Sequence, residues 1–329
     1  MKRILLLLCL STAAFAAGTK QTPLIEIVAA NDTTVTYREL LPERIALDPD
    51  AALYHYAGCP NIKPHMQWAA PAMATLRGFR RHACTNATKG PQYETKTETR
   101  RPRNPKLISV LYLGNSLVYY NEVPRMTSAI GAREPTPLFV DAVTRSGVTL
   151  EQLWFTTVAL KKLWLEHWDY VVVQGGGGGV GPTNRADEFN LYLNRFADEV
   201  RKSGAQPLYY MPWRMNPNQA YIDASIAAAK RARMRIAPVA VAWADLVNAR
   251  RFERLDRDGV HQDARGAYLI AVTVYSTIYN KPAYGAPHDF AHLAVRDEVY
   301  DDALREQEIT DVHAKLMQDA AWRAIEKIR

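Results

Sequence analysis

Five short apolar runs, each followed by a longer stretch with helical spacing, fill the chain between Lys106 and Pro282. The runs are Leu107–Leu113, Leu138–Val143, Tyr170–Val173, Pro207–Met211 and Val239–Trp243. They are rich in β-branched and aromatic residues, as expected of strands buried on both faces of a parallel sheet. Helices are expected at Val123–Ala132, Leu150–Glu166, Ala186–Lys202, Gln219–Met234 and Ala264–Tyr279. Leu153, Trp154, Val158, Leu160, Leu163 and Trp164 fall near helical spacing in the second of these. Gly204 suits a helix stop, and Pro282 follows the last helix. This alternation indicates a flavodoxin-like, three-layer α/β/α fold around a five-stranded parallel sheet. The tail, Ala294–Arg329, carries two further helical stretches, and Leu316, Ala320 and Ile325 suit packing onto the same domain.

The amino-terminal part is different. Lys2 and Arg3 precede the apolar run Ile4–Leu10, and Ser11-Thr12-Ala13-Ala14-Phe15-Ala16 follows it. A basic start, a short apolar core and small residues form a secretory signal peptide, cleaved after Ala16 or Ala17. The run is too short to span a bilayer. A lipid anchor at Cys9 is disfavoured, because Leu6, Leu7 and Leu8 stand where small residues are needed. The expected mature protein is exported, with no membrane insertion after cleavage.

Residues 18–105 read as a small module and linker. Ile25–Val28 and Thr33–Tyr37 suit two strands around a turn at Asn31-Asp32, and Met66–Arg80 suits a short helix. Cys59 and Cys84 remain after the leader is removed, and in an oxidising compartment they read as one disulfide. Its loop of about 26 residues corresponds to roughly 3 kcal/mol in the chain-entropy treatment. Zinc is the alternative, with His55, His65 and His82 nearby, but the His55-x₃-Cys59 spacing suits a structural zinc site poorly. Tyr54, His55, Trp68 and Phe79 suit the module's core better than a polymer-binding surface. The formal charge of +7 drops by two when Lys2 and Arg3 leave. Residues 96–106, KTETRRPRNPK, come nearest to a basic run, and their prolines and mixed charges suit a solvated linker rather than a nucleic-acid surface.

Four places at strand ends and loops of the α/β part carry chemistry: Gly114-Asn115-Ser116, Arg145-Ser146-Gly147, Gln174 with Gly175–Gly179, and Asp258-Gly259-Val260-His261. A parallel sheet can bring such places to one rim. Taken alone, Ser116 is an N-cap candidate, Asp258 a turn residue and His261 a solvent-facing histidine. Taken together, they supply a hydroxyl, a base to take its proton, and a carboxylate to orient the base.

The combination resembles the GDSL/SGNH hydrolase superfamily of serine esterases and deacylases. It is similar in particular to the branch whose first block reads Gly-Asn-Ser with aromatics close behind, as Tyr119-Tyr120-Asn121 stand here. The resemblance covers about residues 107–282. It implies that Ser116 is the nucleophile, His261 the general base and Asp258 its orienting carboxylate. It also implies an oxyanion hole from the Ser116 and Gly147 N–H groups, with Gln174 in the place where the family usually has an asparagine. No metal or organic cofactor is implied. The glycine run Gly175–Gly179 reads as a plain flexible loop rather than a mobile lip, and it is no phosphate loop. Met211-Pro212-Trp213 suits a wall of the pocket, and Arg214 suits either an anionic substrate group or a surface ion pair. Two functions follow: an exported serine hydrolase of a small-molecule or glycan ester, or a non-catalytic carbohydrate-binding protein on the same scaffold.

Overall fold

The strands β1 (Ile25–Ala30) and β2 (Thr34–Leu40) flank the expected turn. There Asn31 Oδ1 accepts the N–H groups of Thr33 and Thr34, both at 2.8 Å. This computed structural model describes residues 24–40, 45–51, 53–56, 63–69, 80–82, 93–213, 218–293 and 308–329. The leader 1–17 with Cys9, the cysteines Cys59 and Cys84, Phe79, Arg214 and residues 294–307 of the tail lie outside the described residues, as do the side chains of Tyr54, His55 and Trp68.

The chain divides into two compact units. The smaller is drawn from residues 39–94. It holds β3 (Ile45–Asp48), β4 (Leu53–Tyr56), β5 (Gln67–Ala69) and β6 (Arg80–Arg81) in the order β5-β3-β4-β6. Gln67–Ala69 is therefore strand where a helix was expected to begin. Ala46, Leu47 and Met66 are buried there.

The larger unit comprises residues 25–38 and 95–329, so its edge departs from the boundary expected at Pro105. Strand β7 (Tyr93–Thr99) completes a three-stranded sheet, β1-β2-β7, and Val35 and Tyr37 of β2 join the main core. The expected linker is accordingly fixed structure. Arg100 is buried and donates through Nη2 to Ser203 O at 2.9 Å, and the Arg101 N–H donates to Leu165 O at 2.7 Å. The side chains of Arg100, Arg101 and Arg103 reach Ser203 O, Glu166 and Asp169 of the α/β body.

That body follows the expected alternation. Its strands are β8 (Ile108–Gly114), β9 (Leu138–Thr144), β10 (Tyr170–Gln174), β11 (Gln206–Tyr210) and β12 (Arg235–Ala237). All pair in parallel, in the order β12-β11-β10-β8-β9. Val110–Leu113, Val171–Val173 and Leu208–Tyr210 are wholly buried, as apolar runs covered on both faces must be. The helices are α1 (Ser116–Tyr119), α2 (Val123–Gly131), α3 (Leu150–Trp154), α4 (Thr157–Leu165), α5 (Ala186–Lys202), α6 (Gln219–Arg231), α7 (Val239–Asn248), α8 (Ala264–Tyr279) and α9 (Asp311–Ile328).

Two elements differ from expectation. Val239–Trp243 opens helix α7, and the fifth strand lies just before it in β12. The segment expected as one helix, Leu150–Glu166, is two, broken at Phe155-Thr156, where Thr156 Oγ1 bonds back to Leu153 O at 2.7 Å. The strand order reverses between β8 and β10. In open α/β sheets, ligands bind in the crevice outside the carboxyl ends of strands at such a reversal. Gly114 ends β8 and Gln174 ends β10, so the residues that follow them border that crevice.

Candidate active site

Asn115 leaves β8 in an extended conformation and caps α1, its Oδ1 accepting the Leu117 N–H at 3.1 Å. Ser116 is therefore the first helical residue, and the turn sets it at the sheet rim with 7% exposure. The Val118 N–H is held by Asn115 O at 2.9 Å. The Ser116 N–H, at the first position of the helix, has no intrahelical acceptor and is available to a ligand.

His261 Nε2 stands 3.0 Å from Ser116 Oγ, across 145 residues of sequence. On the other side of the ring, His261 Nδ1 stands 2.8 Å from Asp258 Oδ2. A carboxylate can only accept, so Nδ1 carries a proton and, in the neutral ring, Nε2 is the acceptor facing the serine hydroxyl. Asp258 Oδ1 accepts the backbone N–H groups of Val260 at 2.9 Å and His261 at 2.7 Å. Partial burial alone pushes the Asp258 carboxyl up. The hydrogen bonds from the His261 ring and from the two backbone amides outweigh it and bring its pKa down to about 2.

The loop that carries these residues is closed on itself. The Gly259 N–H donates to Asp256 Oδ1 at 2.6 Å, and the Arg257 N–H donates to His261 O at 2.7 Å. Asp263 then caps α8, accepting the Gly266 N–H at 2.8 Å. Tyr120 lies flat on the imidazole, with ring centroids 4.0 Å apart and planes 8° from parallel. A clamp ties this loop to the helix that begins at Ser116. Gln262 Nε2 donates to Tyr120 O at 2.7 Å and Leu117 O at 3.3 Å, and Asn121 Nδ2 donates to Gln262 O at 2.8 Å. Sequence reasoning missed Gln262 altogether and noted Tyr120 and Asn121 only as part of the resemblance. A glutamine directly after the histidine carries no recognisable signal.

Gly147 sits exposed in the loop after β9 with φ +62, and its N–H has no protein acceptor among the described residues. Gln174 is placed differently from the expectation that it offers its amide to substrate. It is 1% exposed, its Oε1 accepts the Asn115 N–H at 2.9 Å, and its Nε2 donates to Gly175 O at 3.0 Å. The backbone donor fixes which end of the amide faces Asn115, so Gln174 is a strut beneath the Asn115-Ser116 turn. The glycine run is likewise no plain flexible loop. A Cβ on Gly175 would stand 2.5 Å from Phe189, and one on Gly177 would stand 2.5 Å from Val148 O. Gly176, Gly178 and Gly179 all have positive φ. Packing and backbone geometry, rather than mobility, account for the run.

Leu117, Val180, Pro182, Pro212, Trp213 and Tyr221 contribute to a depression of about 110 Å³ bordered by the glycine loop. Pro212 and Trp213 form one wall of this depression, and Met211 is not among its lining residues. Trp213 is fixed by stacking on Trp243, with centroids 4.2 Å apart. No group of three or more His, Cys, Asp or Glu able to hold a metal occurs among the described residues, and none of their helices is long and apolar enough to cross a membrane.

Neither a protein-family model nor a curated protein matches the chain. Solved structures do. A protein from Slackia heliotrinireducens assigned to the SGNH hydrolases is 22% identical, with a TM-score of 0.44, over 52% of this chain and 99% of that one. The acetyl xylan esterase AlAXEase is 18% identical, with a TM-score of 0.43, over 52% of this chain and 100% of its own. The acetylxylan esterase Axe2 from Geobacillus stearothermophilus, in a catalytic mutant, is 15% identical, with a TM-score of 0.41, over 52% of this chain and 93% of its own. At such identities the chemistry of this chain has to be read from its own atoms.

Proposed function

We propose that the chain is an SGNH-type serine hydrolase that cleaves an ester through an acyl-enzyme, with Ser116, His261 and Asp258 as its triad. The observation that carries this reading is the continuous line of contacts, Asp258 Oδ2 to His261 Nδ1 at 2.8 Å and His261 Nε2 to Ser116 Oγ at 3.0 Å. A serine hydroxyl attacks a carbonyl carbon only when a base within hydrogen-bond reach takes its proton. His261 takes that proton and returns it to the departing alkoxide, while Asp258 balances the positive ring. Water then attacks the acyl-enzyme along the same path. The N–H groups of Ser116 and Gly147 face the oxyanion of each tetrahedral intermediate. This chemistry calls for no metal and no organic cofactor.

The depression that Leu117 helps to line is small, about 110 Å³. It favours a short acyl group over a long one. The proposed substrate is a small or glycan ester carrying such a group. The leader and the cysteine pair extend the proposal to an exported protein with a Cys59–Cys84 disulfide.

The test is turnover of p-nitrophenyl acetate by the mature protein beside Ser116→Ala and His261→Ala, followed by esters of increasing acyl length. Activity lost in both variants and falling with chain length is expected. Equal rates in all three proteins would end the hydrolase reading.

A further inference from the structure

Three loops meet at one side chain that the steps above do not use. Asn115 separates β8 from Ser116 and is 3% exposed. Its backbone N–H and its Oδ1 are engaged by Gln174 and Leu117, as described. Its Nδ2 points at two carbonyls at once, Val148 O at 3.3 Å and Gly176 O at 3.2 Å. Val148 directly follows Gly147 in the loop after β9, and Gly176 belongs to the loop after β10. One carboxamide therefore holds the loops that follow three adjacent strands. Gly177 closes over the junction, where an added Cβ would stand 2.6 Å from Asn115 Nδ2 and 3.1 Å from Gly147 O.

We infer that Asn115 is a positioning residue that fixes Gly147 relative to Ser116, and that it must be an amide rather than a carboxylate. The inference rests on the hydrolase reading, since its consequence is felt at the oxyanion. An amide nitrogen donates to both carbonyls. An aspartate has the same shape and no proton to give, so it would set a negative oxygen against two carbonyl oxygens in a site almost closed to water. An alanine would withdraw the donors without adding charge, leaving the two carbonyls unpaired.

The two roles Asn115 could play predict different orders. A side chain needed for its volume ranks Asn115→Asp near the parent and Asn115→Ala below it. A side chain needed for its donors ranks Asn115→Ala below the parent and Asn115→Asp lowest. Oxyanion donors act on the transition state, so the loss falls on kcat and leaves KM nearly alone. Small displacements of such groups are felt strongly. The expected kcat for p-nitrophenyl acetate falls about 10-fold in Asn115→Ala and about 100-fold in Asn115→Asp, with KM within about twofold.

Circular dichroism establishes that each variant is folded. Where Asn115→Asp does not fold, Asn115→Leu, which keeps the branched shape without the donors, carries the test: a kcat equal to the parent's overturns the inference, and a fall of about 10-fold at constant KM supports it. Gly177→Ala, which forces a methyl into the same junction from the opposite side, is expected to lower kcat in the same manner. An active parent accompanied by an equally active Asn115→Asp protein overturns this inference and leaves the hydrolase reading standing. A folded parent that turns over no ester overturns that reading and this inference with it.

Discussion

Asp258 accepts three hydrogen bonds, one from the His261 imidazole and two from the backbone N–H groups of Val260 and His261. Replacing it by asparagine keeps the size and lets an amide NH₂ face Nδ1, which moves the ring proton to Nε2 and turns a donor toward Ser116. Because the Asp258 side chain is 49% exposed, water competes for the ring. The kcat of Asp258→Asn is expected to fall about 100-fold, less than at a fully enclosed triad. Its carboxyl also links folding to pH. With a pKa brought from 3.8 to about 2 in the folded chain, its charged form is favoured by folding. That contribution is complete above about pH 4 and is lost as the pH falls through 2. Urea unfolding of the parent and of Asp258→Asn between pH 2 and pH 6 checks this. The stability difference between them should shrink on acidification over that window alone. The residues with a chemical signature, Ser116, Asp258 and His261, were legible because each type announces a role at the end of a strand or in a rim loop. Gln174 was legible as a polar group at the right strand end, but not in its role, since that depends on the Asn115 N–H 59 residues away.

The two elements that must stay in register are α1 and the loop before α8, and Asn121 joins them. Its backbone has φ 54 and ψ 35, a left-handed conformation that glycine adopts freely and a β-carbon opposes. Its Nδ2 reaches Gln262 O. The two contributions separate by substitution. Asn121→Gly loses the hydrogen bond alone, at about 1 kcal/mol, whereas Asn121→Ala also takes on the backbone strain, about 1 kcal/mol more. Urea midpoints should rank the parent above Asn121→Gly and Asn121→Ala last, and equal midpoints for the two variants would show that the backbone conformation costs nothing. No sequence pattern announces such a clamp, because its partners stand 141 to 145 residues apart. The exchange of strand for helix at Val239–Trp243 has a different origin. A five-residue run buried on every side has no polar face to reveal its period. Pro238 immediately precedes α7, and the strand that completes the sheet is the three-residue β12, too short to stand out. At Phe155-Thr156 the apolar spacing continues through a break made by a local hydrogen bond, so periodicity overran it.

At the scale of the molecule, the rim is carried by a helix that is buried almost throughout. Helix α8 is buried at all but two of its positions, Arg265 and Tyr279, and Asp263, which caps it, lies two residues from His261. Helix α9 packs on both α7 and α8, with Ala314, Met317, Ala320, Ala321 and Ala324 buried, and Gln318 Nε2 donates to Tyr268 Oη at 2.7 Å. Of the three residues expected to pack the tail onto the domain, Ala320 and Ile325 are buried and Leu316 is partly buried against the core. Met317 has no exposure, and its truncation leaves a cavity where α9 packs on the domain. Met317→Ala is expected to cost about 2–4 kcal/mol, lowering the melting temperature by about 5–10 °C. The geometry of the rim is fixed by the local bonds of Asp256, Asp258 and Gln262, and Met317 takes part in none of them. Below the melting transition kcat should therefore match the parent's, and heating should extinguish ester turnover and helical circular dichroism together. A variant that loses turnover well below its melting temperature would show that α9 acts on the rim through α8, beyond keeping the core closed.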